Sequence, residues 1–276
     1  MTNLSDSDRW GFSIFGCCLS LLIPVINIML YIVTNQPIVK SISRWMIGFT
    51  SGLLLMTVVS QLFIDDVIEK THSWEITVCF LMGFSISLLT MNTHYNREVP
   101  ILEQHFMLGG SGDEIVIEPT IFRNGIWIKG IIINELIRNF CNGMVITTSF
   151  IGCSYKLGWL MTIVINLMEF PMKMFNQWNL IDRQQTVKTA FYFNILSTLP
   201  MFVGWLIINS IYEVNNNIQL EYILAFGSGT IIYTTIIILS SVIGRLELTK
   251  KWCQIGLFTI GGFIPAIVIS HHRILC

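Results

Sequence analysis

The chain has 276 residues, 53% of them hydrophobic and 12% charged, with 16 Lys+Arg against 17 Asp+Glu. A soluble domain carries about 25% charged residues, and the mean hydropathy here is +0.66, so the composition excludes a disordered chain and argues against an ordinary soluble enzyme. The balanced charge argues equally against a nucleic-acid partner, which needs surplus Lys and Arg to neutralise phosphates. The apolar residues fall into stretches of about 20, the length that crosses roughly 30 Å of hydrocarbon at about 1.5 Å per residue. These features predict an all-α polytopic membrane protein, integral and multi-pass.

The acidic start, Met1 to Arg9, lacks a basic n-region, which argues against a cleaved signal peptide. It carries a short N-glycosylation sequon, Asn3-Leu4-Ser5. Eight spans follow, at about 11–33, 45–64, 75–91, 126–150, 157–178, 189–211, 221–243 and 253–271. They form one transmembrane domain over 1–276, an eight-helix bundle surrounded by lipid.

Basic residues orient the spans. The connections after spans one, three, five and seven hold nine: Lys40, Arg44, Arg97, Arg123, Arg183, Lys188, Arg245, Lys250 and Lys251. The opposite side holds four: Arg9, Lys70, Lys156 and Arg273. With an even number of spans, both termini are expected outside the cell or in a lumen. The long connection 92–125 is then a cytoplasmic loop. Its Gly109-Gly110-Ser111-Gly112 run reads as linker, since no strand precedes it and no Lys-Ser/Thr follows.

The seven cysteines include no C-x-x-C pair and read as small buried hydrophobes. The five histidines, His72, His94, His105, His271 and His272, avoid the middles of the spans and form no H-E-x-x-H. No nucleophile–base set emerges, so an enzyme is not expected.

The informative residues are four charges inside spans four and five: Glu135 and Arg138, then Glu169 and Lys173. An ionisable side chain at membrane depth costs at least about 2.5–3.5 kcal/mol and therefore faces a partner or a water-filled path. Helical spacing gathers polar residues into stripes. Span four carries Glu135, Arg138, Asn139 and Asn142; span five carries Thr162, Asn166, Glu169, Lys173 and Asn176. Asn194, Ser197 and Thr198 give span six a shorter polar face. Two readings compete: a substrate path between the stripes, and a structural seam of local pairs, Glu135 with Arg138 and Glu169 with Lys173. Pro171 is expected to free the Leu167 carbonyl one turn earlier.

In order and spacing these motifs resemble the ZIP (Zrt-, Irt-like protein) family of metal transporters. The family's fourth-span H-N-F-x-D-G stands here as Arg138-Asn139-Phe140-Cys141-Asn142-Gly143. Its fifth-span H-E-x-P-H-E-x-G-D stands as Met168-Glu169-Phe170-Pro171-Met172-Lys173-Met174-Phe175-Asn176. Asn194 to Ser197 is similar to the sixth-span N-x-L-S. Ala225 to Tyr233 and Gly261 to His272 are similar to the last two spans. Gln61, before Asp65 and Asp66, stands where span two offers a His. The resemblance implies eight spans and transport of a divalent metal, usually zinc, with iron or manganese as alternatives. The metal would be substrate rather than cofactor. It also implies a homodimer, or a heterodimer with an active relative.

By the same resemblance the ligand positions are Glu135, Asn139, Asn142, Met168, Glu169, Met172 and Asn176. Only Asn139 and Glu169 are kept unchanged, and Glu135 keeps its charge. Arg138 replaces a His and Lys173 a Glu, so the four seam charges sum to zero. A fixed cation about 4 Å from a dication repels it by about 8 kcal/mol even at an effective dielectric of about 20, twice the unit-charge value. Thioethers at Met168 and Met172 suit Cu(I) better than Zn²⁺. Family resemblance thus favours zinc transport, whereas site chemistry favours a transport-inactive relative in which Arg138 and Lys173 block the former site. An anion carrier ranks below both.

Overall fold

The computed structural model describes residues 6–33, 36–59, 73–95, 121–152, 155–182, 186–214, 220–244 and 248–272. The sequon at Asn3, Gln61 with Asp65 and Asp66, His72, His105, and Gly109 to Gly112 lie outside the described residues. So do 96–120 of the expected loop, and the side chains of His94, Arg123, His271 and His272.

Among the described residues there are nine helical segments and no strand: α1 (Asp6–Val33), α2 (Gln36–Val59), α3 (Ser73–Tyr95), α4 (Ile121–Ile151), α5 (Tyr155–Asp182), α6 (Val187–Thr198), α7 (Pro200–Val214), α8 (Leu220–Gly244) and α9 (Leu248–His272). Each expected span has a helix. The exception to one span, one helix is the sixth, which is broken between α6 and α7. Pro200 has no N–H to donate to Leu196 O one turn back, so the Leu199 N–H takes that carbonyl at 3.3 Å and tightens the turn. Pro200 then sits as the first residue of α7, where its missing donor costs nothing. Pro24, Pro171 and Pro265, by contrast, lie inside continuous helices.

Among the described residues, two segments are long and apolar enough to cross a membrane, Asp8–Val33 and Val187–Glu213; Trp45–Val59, Trp74–Leu89 and Glu221–Ile237 are shorter apolar helices.

The helices pack through glycines in reciprocal pairs. On α2, a Cβ at Gly52 would overlap the Phe258 carbonyl of α9, and one at Gly261 on α9 would overlap the Phe49 carbonyl of α2. The same exchange joins α3 and α8 through Gly83 against Phe226 O and Gly229 against Phe80 O. It joins α4 and α7 through Gly143 against Met201 O and Gly204 against Phe140 O. Without a Cβ on either side, backbones approach closely enough for dispersion and weak Cα–H···O contacts.

Helix α4 lies at the centre, touching α1, α3, α5, α6, α7 and α8. Its apolar face builds the main core with α5, where Val145, Ile146 and Phe150 pack with Leu157, Met161 and Ile165. On the outer surface the distribution inverts. Val33, Ile32, Trp252, Trp74, Ile267 and Phe263 are largely exposed, while Glu135, Arg138, Asn139, Glu169 and Lys173 are buried.

Candidate functional site

The buried polar residues converge where α4, α5 and α6 meet. On α4, Glu135, Arg138, Asn139 and Asn142 follow one face at the 3–4-residue period; Glu169, Lys173 and Asn176 do so on α5. The two stripes face each other, as their spacing predicts.

Arg138 joins them. Its Nε and Nη2 donate to Glu169 Oε1 and Oε2, each at 3.0 Å, in a two-pronged bond across helices. Nη2 also donates to Glu135 Oε2 at 2.9 Å. A planar guanidinium matches the two oxygens of a carboxylate, which makes such forks stronger and more directional than single contacts.

Lys173 completes the charge set without a hydrogen bond to either acid. Its Nζ lies 3.6 Å from Glu135 Oε2 and 3.9 Å from Glu169 Oε2. It donates instead to Ser197 Oγ at 2.9 Å and Asn194 O at 3.3 Å, both on α6. Asn194 Nδ2 returns a bond to Lys173 O at 3.3 Å. Both expected local pairs form, Glu135 with Arg138 at 2.9 Å and Glu169 with Lys173 at 3.9 Å, but the closer partner of Glu169 is Arg138. A fork that reaches both oxygens across helices wins over the longer i,i+4 contact.

Three asparagines fill the remaining acceptor capacity. Asn142 Nδ2 donates to Glu169 Oε1 at 2.8 Å and Asn176 Nδ2 to Glu135 Oε1 at 2.6 Å. Asn139 Nδ2 donates to Ser197 O at 2.7 Å and to Glu135 O at 3.0 Å. Every carboxylate oxygen thus receives a donor, and all three amides turn their nitrogen, not their oxygen, toward the acids. A dication needs the reverse arrangement, with oxygens converging on it. Among the described residues, no three His, Cys, Asp or Glu side chains come together.

Five of the seven candidate ligands, Glu135, Asn139, Asn142, Glu169 and Asn176, meet in this network together with Arg138 and Lys173. Met168 and Met172 are packed in the apolar core, and Met168 Sδ accepts from Thr235 Oγ1 on α8 at 3.6 Å. The upper part of the α5 stripe also departs from expectation. Asn166 faces α1, where Ser20 Oγ donates to its Oδ1 at 2.7 Å. Asn27 of α1 donates to Phe170 O at 3.3 Å, and Trp205 Nε1 to Ser13 Oγ at 2.9 Å. Ser13, Ser20 and Asn27 recur every seven residues and are all buried. That i, i+7, i+14 spacing was the signal for this second polar face.

Among the described residues, three buried atoms at the network have no hydrogen-bond partner: Arg138 Nη1, Asn139 Oδ1 and Asn194 Oδ1. The fold and site define an all-helical bundle organised around a buried, net-neutral ion-pair network. No family model matches the chain.

Proposed function

We propose that this chain is an eight-span membrane protein of ZIP-like architecture whose former metal site is held shut by its own cations. It acts as a transport-inactive subunit that regulates or scaffolds an active relative, with both termini on the outer or lumenal side.

Membrane residence is supported by the inverted surface. Large apolar side chains such as Val33, Trp74, Trp252 and Phe263 face outward, while the charged side chains of Glu135, Arg138, Glu169 and Lys173 are buried. In water such a surface promotes association; in lipid it is the favourable arrangement, and reciprocal glycine packing is the usual way helices meet there.

The closed site rests on one observation, the Arg138 fork on Glu169. Glu169 is the one acid kept unchanged at a family ligand position, and both of its oxygens are engaged by a group that cannot lose its proton at ordinary pH. A zinc ion entering here would have to displace the guanidinium and then stand beside it.

A second reading, divalent-metal transport through the same seam, is favoured by the two unpartnered amide oxygens, Asn139 Oδ1 and Asn194 Oδ1. It requires Arg138 to swing away from Glu169. Uptake of Zn²⁺, Fe²⁺, Mn²⁺ and Cu⁺ into proteoliposomes separates the readings. Uptake equal to empty liposomes for all four ions supports the closed site. Zinc flux above that background, abolished by Glu169→Ala, overturns it in favour of transport.

A further inference from the structure

The ammonium of Lys173 lies where three helices contribute oxygen. Its Nζ is 2.9 Å from Ser197 Oγ and 3.3 Å from Asn194 O on α6. It is 3.6 Å from Glu135 Oε2 on α4 and 3.9 Å from Glu169 Oε2 on its own helix. The side chain is fully buried. Asn194 and Ser197 belong to the last turn of α6, which ends at Thr198. The C-terminal end of a helix carries negative potential, and a helix broken inside a bundle brings that end to a buried cation. Asn194 holds one more acceptor, Oδ1, which has no hydrogen-bond partner among the described residues.

Charge and distance define the ion that this position suits. Both acids are already engaged by Arg138, and that pairing has to be counted. Glu135 and Glu169 carry −2 and Arg138 returns +1, which leaves −1 for one further ion. A monovalent cation neutralises it, whereas a dication leaves an excess positive charge beside a guanidinium. Zinc–oxygen bonds are about 2.0–2.2 Å long. The oxygens here stand 2.9–3.9 Å from the nitrogen, the separations of N–H···O hydrogen bonds and close ion pairs. A primary ammonium meets them with three N–H donors on a compact charge.

We propose that α4, α5 and α6 form a binding site for one primary ammonium ion, with Lys173 Nζ as its tethered occupant. The inference rests on the closed-site reading and deepens it by naming the ion that the seam recognises. Zinc flux through the parent bears on closure, and the ammonium response of a Lys173 variant bears on the ion, so each can fail without the other.

The test is chemical rescue of full-length Lys173→Ala in detergent. This change removes Cγ, Cδ, Cε and Nζ, the atoms that n-propylammonium supplies. At equal ionic strength, about 100 mM ammonium or n-propylammonium chloride should raise its melting midpoint by about 4 °C or more over tetramethylammonium chloride, which has no N–H, with a saturating concentration dependence. The parent, whose site is filled, should melt alike in all three salts. So should Lys173→Met, whose apolar chain takes up the same space. Recovery of folded Lys173→Ala in gel filtration only when an ammonium salt is present supports the proposal equally. Identical midpoints in all salts overturn it, as does a rise of the same size in Lys173→Met. Failure to recover Lys173→Ala in any salt also overturns it, because a free ion then does not replace the tethered one. Stabilisation of Lys173→Ala by zinc chloride and not by ammonium overturns the choice of ion.

Discussion

Arg138 and Glu169 lie 31 residues apart on different helices, yet the guanidinium reaches both carboxylate oxygens at 3.0 Å. That fork ties the central helix α4 to α5, and Lys173 carries the connection on to α6 through Ser197 and Asn194. Two acids and two bases are buried, and their mutual attraction offsets a desolvation cost of several kcal/mol per ion.

Removing one member should therefore cost far more than removing a matched pair. Arg138→Gln is expected to destabilise the protein by about 3–5 kcal/mol, because two buried carboxylates lose their main counter-charge. Arg138→Gln with Glu169→Gln should recover part of that loss. Thermal melts of the four purified proteins in detergent check the coupling; strictly additive losses would show that the pair is not an energetic unit.

Because the pair is buried, salt should leave it nearly untouched. Raising NaCl from about 0.05 to 1 M shortens the screening length from over 10 Å to about 3 Å, which weakens exposed pairs and spares buried ones. The destabilisation caused by Arg138→Gln should be the same at both ends of that range. A loss that shrinks markedly in high salt would place the guanidinium in solvent.

Restoring the family's residue types should reopen the site. Arg138→His with Lys173→Glu changes the seam from neutral to a net charge of −3, with the new imidazole neutral, and supplies an imidazole and a third carboxylate, ligands that zinc favours. Isothermal titration should detect zinc binding in this double variant and none in the parent. High-affinity binding by the parent would contradict the closed-site reading.

Lys173 should stabilise the break between α6 and α7. Ser197→Ala removes one acceptor of its ammonium and is expected to cost about 1 kcal/mol. Lys173→Met removes the charge as well and should cost more. In hydrogen-exchange measurements, residues 194–202 should exchange faster in both variants, with the larger change in Lys173→Met. Unchanged exchange there would mean that the break holds without the lysine.

The reciprocal glycines give a contrast within one residue type. Gly143→Ala places a methyl into the Met201 carbonyl and should destabilise by about 1–3 kcal/mol, or more if the backbones cannot part. Gly256→Ala meets nothing within 4 Å and should be neutral or stabilising by up to about 1 kcal/mol through helix propensity. Equal effects in melts of the two variants would exclude close packing as the reason for Gly143.

Much of the helical order was legible from the chain. Apolar stretches of sufficient length admit few alternatives to helices, and the 3–4-residue spacing of Glu135, Arg138 and Asn142, and of Glu169, Lys173 and Asn176, aligned each set on one face. The break at Leu199 was not anticipated. Pro200 alone does not announce one, since Pro24, Pro171 and Pro265 all sit in continuous helices. The difference lies in how the neighbouring carbonyls are satisfied, and that involves Asn139 and Lys173 from other helices.

Sequence periodicity alone determined that two polar stripes exist and that their four charges cancel, because spacing along a helix sets direction around it. Which cation grips which acid was decided only by tertiary structure. Local rules favour Glu169 with Lys173, but the fork geometry of Arg138 becomes available only once α4 and α5 lie against each other. The same contact turned the three asparagine nitrogens toward the acids and sent Met168 and Met172 into the apolar core, since side chains on adjacent positions of a helix point to different neighbours.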